Sequence, residues 1–290
     1  MVAPGMLQNV SVRTWLEGAE PAWTLLNDAS FHALRQSPTP QGGAIRLSTK
    51  LTSDEIHRSA VLRNALILFR AAAEAPGLKL TATGNLSRSV VAEMVDTMSW
   101  PDFNKAQAFQ LNRVVNEPDY LHLHFLRMLS QSAKLLRRRS GHLLATPLAR
   151  HLSEEPSHGA LLAILFHLVF WHLDISDLWQ GPFHGWPQRD CGIVLWSLSV
   201  AAAEWQSSKR LTRLCTVPII GVLESDWDVG TSAMEARILR PLEWFGLVER
   251  REGDTTGSLF DRRNFYRKTP LFDRFLSFDV TLDETDGLRH

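Results

Sequence analysis

Short apolar runs separated by polar punctuation predict a chain of brief helices and tight hairpins. Thr52-Ser53-Asp54-Glu55 offers an N-cap with Glu three residues on, and Ile56, Leu62, Leu66 and Phe69 continue into a helix that should stop near Pro76-Gly77. Leu78 to Thr83 alternates and is partly β-branched, which predicts a short strand. Gly84-Asn85 then reads as a turn, and Ser87 as the N-cap of a helix over Val90 to Met98. Beyond a stretch rich in Asn and Gln, Tyr120 to Ala133 has helical periodicity, and Leu135 to Leu148 reads as a hairpin turning at Ser140-Gly141.

Upstream, one helix is expected around Trp23 to Leu34, followed by a Pro-, Gly- and Ser-rich loop from Gln36 to Gly43. Downstream, Ala160 to Leu173 is strongly apolar but shorter than the roughly 20 residues a membrane span requires, so a buried helix is expected. Trp171, Trp179, Trp186, Trp196 and Trp205 follow closely, and packing explains such a cluster better than a ligand cage. Ser232-Ala233-Met234-Glu235 looks like a capping box opening a helix through Phe245, ended by Gly246 and kinked or divided by Pro241. Strands over 247–251 and 264–269 then repeat the hairpin ending in variant form.

Helix, strand, helix, helix, hairpin is the winged-helix order, so the expected class is mainly α with small β wings. Two winged-helix-like modules, 51–153 and 213–290, would be joined by a helical Trp-rich segment, 154–212, and preceded by an extension, 1–50.

Composition narrows the function classes. With 31 basic and 31 acidic residues, the molecule has no global field for nucleic acid or an anionic membrane, so any polyanion must meet a local patch. Two cysteines, Cys191 and Cys215, are too few for a disulfide framework and have no zinc-ligand spacing. No basic region with an apolar core opens the chain, so a cytoplasmic protein without membrane attachment is expected.

The stretches Leu239-Arg240-Pro241-Leu242-Glu243-Trp244-Phe245-Gly246-Leu247-Val248-Glu249 and Leu135 to Ala149 (LLRRRSGHLLATPLA) resemble the third-helix-to-wing pattern of bacterial winged helix-turn-helix proteins. Leu78 to Arg88 (LKLTATGNLSR) is similar to an element of a bacterial group associated with plasmids and mobile DNA. The resemblance implies a fold and a bias toward DNA, and no substrate.

On the third helix, at 100° per residue, Leu121, Phe125, Met128 and Leu129 fall in one arc, while His124, Arg127, Gln131 and Lys134 cluster on another. These four are hydrogen-bond donors, and Arg and Gln suit guanine and adenine edges in a major groove. Lys134 with Arg137, Arg138 and Arg139 extends the charge into the hairpin, and no acidic residue lies between Lys134 and Arg150. The alternative is an ordinary solvated face.

The region 249–268 mixes six basic with four acidic residues and suits packing or dimerisation equally well. His122 and His124, two apart on a helix, point in different directions, and His167 and His172, five apart, diverge on an α-helix for a similar reason. Glu224, Asp226 and Asp228 form the acidic cluster considered for a metal, but loop acids before a helix usually cap it. Phosphate-loop, nucleophile-elbow, zinc-protease and dinucleotide motifs are absent from the sequence, so no catalytic residue, metal or cofactor is assigned. The expectation is a DNA-binding or DNA-associated accessory protein of a bacterium or mobile element, with duplex DNA as partner. The alternative is a protein-interaction scaffold whose modules pack on each other, on a second copy or on a protein partner.

Overall fold

A computed structural model describes residues 10–39, 42–106, 115–175, 183–225, 228–253 and 264–283, and within them the protein is mainly α-helical with small antiparallel sheets. The chain forms two units: a split unit of Met1–Leu47, Asp174–Glu243 and Leu247–His290, and an inserted unit of Ser48–Leu173 with Trp244–Gly246. The segment expected as a connector, 154–212, is divided between them, because its apolar residues up to Phe170 bury in one core and those from Ile193 onward in the other.

The split unit opens with α1 (Val10–Leu16), α2 (Asp28–Leu34) and β1 (Ile45–Leu47). The helix expected from Trp23 is a 3-10 turn over Ala22–Leu25 followed by α2, because Asn27 caps afresh, accepting from the Ser30 N–H at 2.8 Å.

The inserted unit begins with the Thr52–Glu55 capping box, complete in both directions, at the head of α3 (Ser53–His57). Ser59 then accepts from the Leu62 N–H at 3.2 Å and starts α4 (Ala60–Ala73), so the single helix expected here is two. β2 (Leu78–Lys79) stops short of Thr83, since Thr81 and Asn85 close a turn through the Thr81 N–H to Asn85 carbonyl bond of 2.7 Å. Ser87 precedes α5 (Arg88–Thr97), but its hydroxyl meets Ser89 rather than a backbone N–H. α6 (Leu121–Ser132) ends where Lys134 turns left-handed at φ 57°, and the Leu135 N–H returns to the Ser130 carbonyl at 2.9 Å.

β3 (Leu136–Arg139) and β4 (His142–Ala145) form the expected hairpin. Ser140 and Gly141, both at positive φ, supply the turn that matches strand twist. β4 lies between β2 and β3. The Thr146 N–H bonds the Leu135 carbonyl at 2.9 Å, and its hydroxyl caps α7 (Pro147–Leu152). α8 (His158–His167) runs into a π turn, Leu168–His172; Leu161, Leu162, Leu165, Phe166, Val169 and Phe170 are buried, as the apolar run predicts. α4 packs against β4, α6, α7 and α8 and is the spine of this unit's core. No helix of the described residues is long and apolar enough to cross a membrane.

The split unit resumes with α9 (Cys191–Ala201), β5 (Gln206–Ser207), α10 (Ser208–Cys215), α11 (Ile220–Leu223) and α12 (Val229–Met234). Asp228, accepting from the Thr231 N–H and hydroxyl, caps α12 ahead of Ser232, so the expected box at Ser232 lies inside the helix. The helix then widens into a π turn, Glu235–Leu239, before α13 (Arg240–Trp244), which leads Pro241 in with the Arg240 N–H bonded to the Glu235 carbonyl. β6 (Val248–Glu252) and β7 (Asn264–Lys268) make the second hairpin, α14 (Pro270–Phe275) follows, and β8 (Leu276–Phe278) pairs with β1.

The sheet orders β2-β4-β3 and β5-β7-β6 are the same. The Thr269 N–H bonds the Leu247 carbonyl at 2.9 Å, as Thr146 does Leu135. The split unit thus repeats the other's layout from α9 onward, earlier in the chain than the sequence pattern suggests.

Candidate nucleic-acid interface

Strand alternation sets the geometry of the 136–145 hairpin. Leu136 is buried opposite Ala145, while Arg137, Arg138 and Arg139 are all exposed. Arg137 and Arg139 share one face, and Arg138 points to the other. There its guanidinium lies against the turn at Gly84, where a Cβ would come 2.7 Å from Nη1. Lys134 is also exposed, and among the described residues no carboxylate pairs with any of these four cations. Beside the Gly84 turn lies an open cleft of about 750 Å³ lined by Lys79, Thr81, Asn85, Ser87, Arg88 and Asn116, among others.

The helix before the hairpin is arranged differently from its sequence pattern. Arg127, expected on an outward donor face, is 3% exposed, whereas Met128, expected inward, is 42% exposed. The cause is Glu117, a residue the periodicity did not single out, which is fully buried. One carboxylate oxygen accepts from Arg127 Nε and lies 2.9 Å from His124 Nδ1, and the other accepts from the Leu86 N–H at 2.6 Å. Arg127 Nη1 also donates to Gln131 Oε1 at 2.7 Å. With its charge matched, Arg127 turns inward and the helix rotates about its axis relative to the apolar pattern.

Burial alone would raise the Glu117 pKa. The hydrogen bonds from His124 and Leu86 and the Arg127 charge outweigh it and hold the carboxyl below the ordinary range. His124, Arg127 and Gln131 therefore form one internal network, and Lys134, Arg137, Arg138 and Arg139 form a separate outward group. Helical spacing could not have found the network, because Glu117 sits in a separate 3-10 turn, Glu117–Asp119, ahead of the helix that carries His124 and Arg127.

The remaining candidates fall apart as ligands. His122 Nε2 lies 2.7 Å from Asp102 Oδ1, its ring packed against those of Trp100 and Trp244, while His124 turns to Glu117, so the two histidines serve different carboxylates. Asp228 is a helix cap; Asp226, with Trp179 from the tryptophan-rich segment, lies outside the described residues. In the 248–268 hairpin, Arg250 pairs with Glu243 at 3.3 Å, Arg267 Nε with Glu249 at 2.8 Å, and Lys268 with Asp273 at 2.8 Å. Arg251 stacks over Trp205 and Phe265.

A family model of the Y4jL N-terminal domain matches residues 57–158. The match takes in the Glu117 network and the whole 136–145 hairpin, and leaves out the 248–268 hairpin. No curated protein and no solved structure matches the chain.

Proposed function

We propose that this is a DNA-associated accessory or regulatory protein of a bacterium or mobile element, acting in the cytoplasm, and that its two units carry winged-helix folds. Duplex DNA is contacted chiefly by the wing of the inserted unit. The observation that carries the reading is the exposed cation group Lys134, Arg137, Arg138 and Arg139, with no carboxylate partner among the described residues. The repeated element order and the shared sheet order support the fold. Because Arg127 and His124 are tied to Glu117, contact rests on phosphates more than on base edges, and discrimination between sequences is modest. Gln131 and His124 are half-buried, and Arg127 is the member of the network withdrawn from the surface.

Binding of a short duplex measured across a salt series tests this. About four neutralised phosphates give a slope of log K against log salt near −4. A second reading, a protein-interaction scaffold, is favoured by the 248–268 hairpin, whose paired charges suit a protein surface better than a phosphate backbone. Absence of duplex binding at low salt would replace the first reading with the second.

A further inference from the structure

Leu66, Phe69, Arg70 and Ala73 follow one another on α4 at the spacing i, i+3, i+4, i+7, which sets them along one stripe of the helix. That stripe forms one wall of a cleft of about 310 Å³, and Arg150 of α7, Ser153 beyond it and His158 at the start of α8 form the other. The second wall is braced from within. The Ser153 hydroxyl donates to the Ala149 carbonyl at 2.7 Å, and His158 Nε2 lies 3.0 Å from the Ser153 carbonyl. Leu66, one of the apolar residues whose spacing predicts the helix, is only half-buried. Arg70 and Arg150 are exposed, and none of the residues lining the cleft is acidic. Among the described residues no carboxylate pairs with either arginine.

We propose that this cleft binds a small organic acid, its carboxylate met by Arg70 and Arg150 and its apolar body laid against Leu66, Phe69 and Ala73. The volume is at the small end of the range for ligand pockets, roughly 300–1,000 Å³, and a junction of helices is a usual place for one. An apolar wall with a few polar groups at its edge is also the usual lining of such a site. The planar guanidinium fork matches a carboxylate, and an anion here would neutralise two charges that the cleft itself leaves uncompensated. A bare inorganic anion would satisfy the arginines but leave the apolar wall in water, whereas an aliphatic or aromatic acid covers both. None of Lys134, Arg137, Arg138 and Arg139 lines the cleft, so the inference is independent of DNA binding.

The test is titration of the full chain with hexanoate at constant ionic strength, followed by saturation-transfer NMR. A ligand of this size should bind with a Kd on the order of 1 mM. Hexanol, which keeps the apolar body and lacks the charge, and inorganic phosphate, which keeps charge and lacks the body, should each bind about tenfold more weakly or worse. Arg70 and Arg150 are exposed, so Arg70→Gln and Arg150→Gln remove a charge without opening a core. Each should weaken hexanoate about three- to tenfold, as suits a charge-assisted contact partly open to water. Arg210→Gln, at an exposed arginine elsewhere, should leave affinity unchanged. Hexanoate that fails to bind, that binds no better than hexanol or phosphate, or that loses less than about twofold in both cleft variants overturns the proposal.

Discussion

In the 136–145 hairpin Arg137, Arg138 and Arg139 face no carboxylate among the described residues, whereas in the 248–268 hairpin Arg250 lies 3.3 Å from Glu243 and Arg267 Nε 2.8 Å from Glu249. The two share strand order and the threonine hydrogen bond that closes each hairpin. Both helices that lead into them bury an arginine. Arg127 answers the Glu117 carboxylate, while Arg237 donates to the main-chain carbonyls of Phe183 and Trp186. One backbone plan therefore carries two electrostatic solutions. In one unit acid is drawn into the core and the hairpin is left positive; in the other acids sit along the hairpin itself.

The largest effect should come from breaking the internal pair. Arg127→Met leaves Glu117 buried without its cation, and denaturant unfolding should report a loss of about 3–5 kcal/mol. A loss below about 1 kcal/mol would mean that the pair is not what holds this helix. The same network has a pH signature. The Glu117 carboxyl is depressed in the folded protein, so its contribution is fully present above the unfolded-state pKa and is lost as pH falls through the folded one. Glu117→Gln should therefore flatten the acid limb of stability against pH, and an unchanged acid limb would contradict the assignment.

Next in size, replacing Arg137, Arg138 and Arg139 together by Ala should flatten the salt slope of DNA binding by about 2 to 3. Stability should move by no more than about 0.5 kcal/mol, because these side chains are exposed. An unchanged slope would remove this hairpin from the interface. The smallest change sharpens the contrast from the other side. Glu249→Gln releases Arg267, which should cost at most about 1 kcal/mol in thermal unfolding and steepen the salt slope by about 1 if the second hairpin also approaches DNA.

Much of this plan is legible in the residues. Thr52 and Glu55 announce a capping box, and Ser140-Gly141 announces a hairpin turn, because each depends on side chains within a few positions. The rotation of α6 was not legible. Periodicity counts Arg127 as outward and does not reach Glu117, and only their mutual neutralisation allows both inside. The π turn escaped for another reason: Leu168–His172 has no proline or glycine to mark it. β5 is two residues long, too short for an alternating pattern, although Ser207, accepting from the Arg210 N–H at 3.2 Å, caps the helix that follows.

Lys134 and Gly246 end their respective helices in the same left-handed conformation, at φ 57° and 77°. Glycine adopts it without strain, while a lysine there costs on the order of 1 kcal/mol. Lys134→Gly should accordingly raise the melting temperature while removing one of the four outward cations. A stabilising substitution that lowers affinity is the mark of a position adapted for contact at the expense of durability, so a screen of this chain for thermal tolerance alone would tend to discard the charge at residue 134 first.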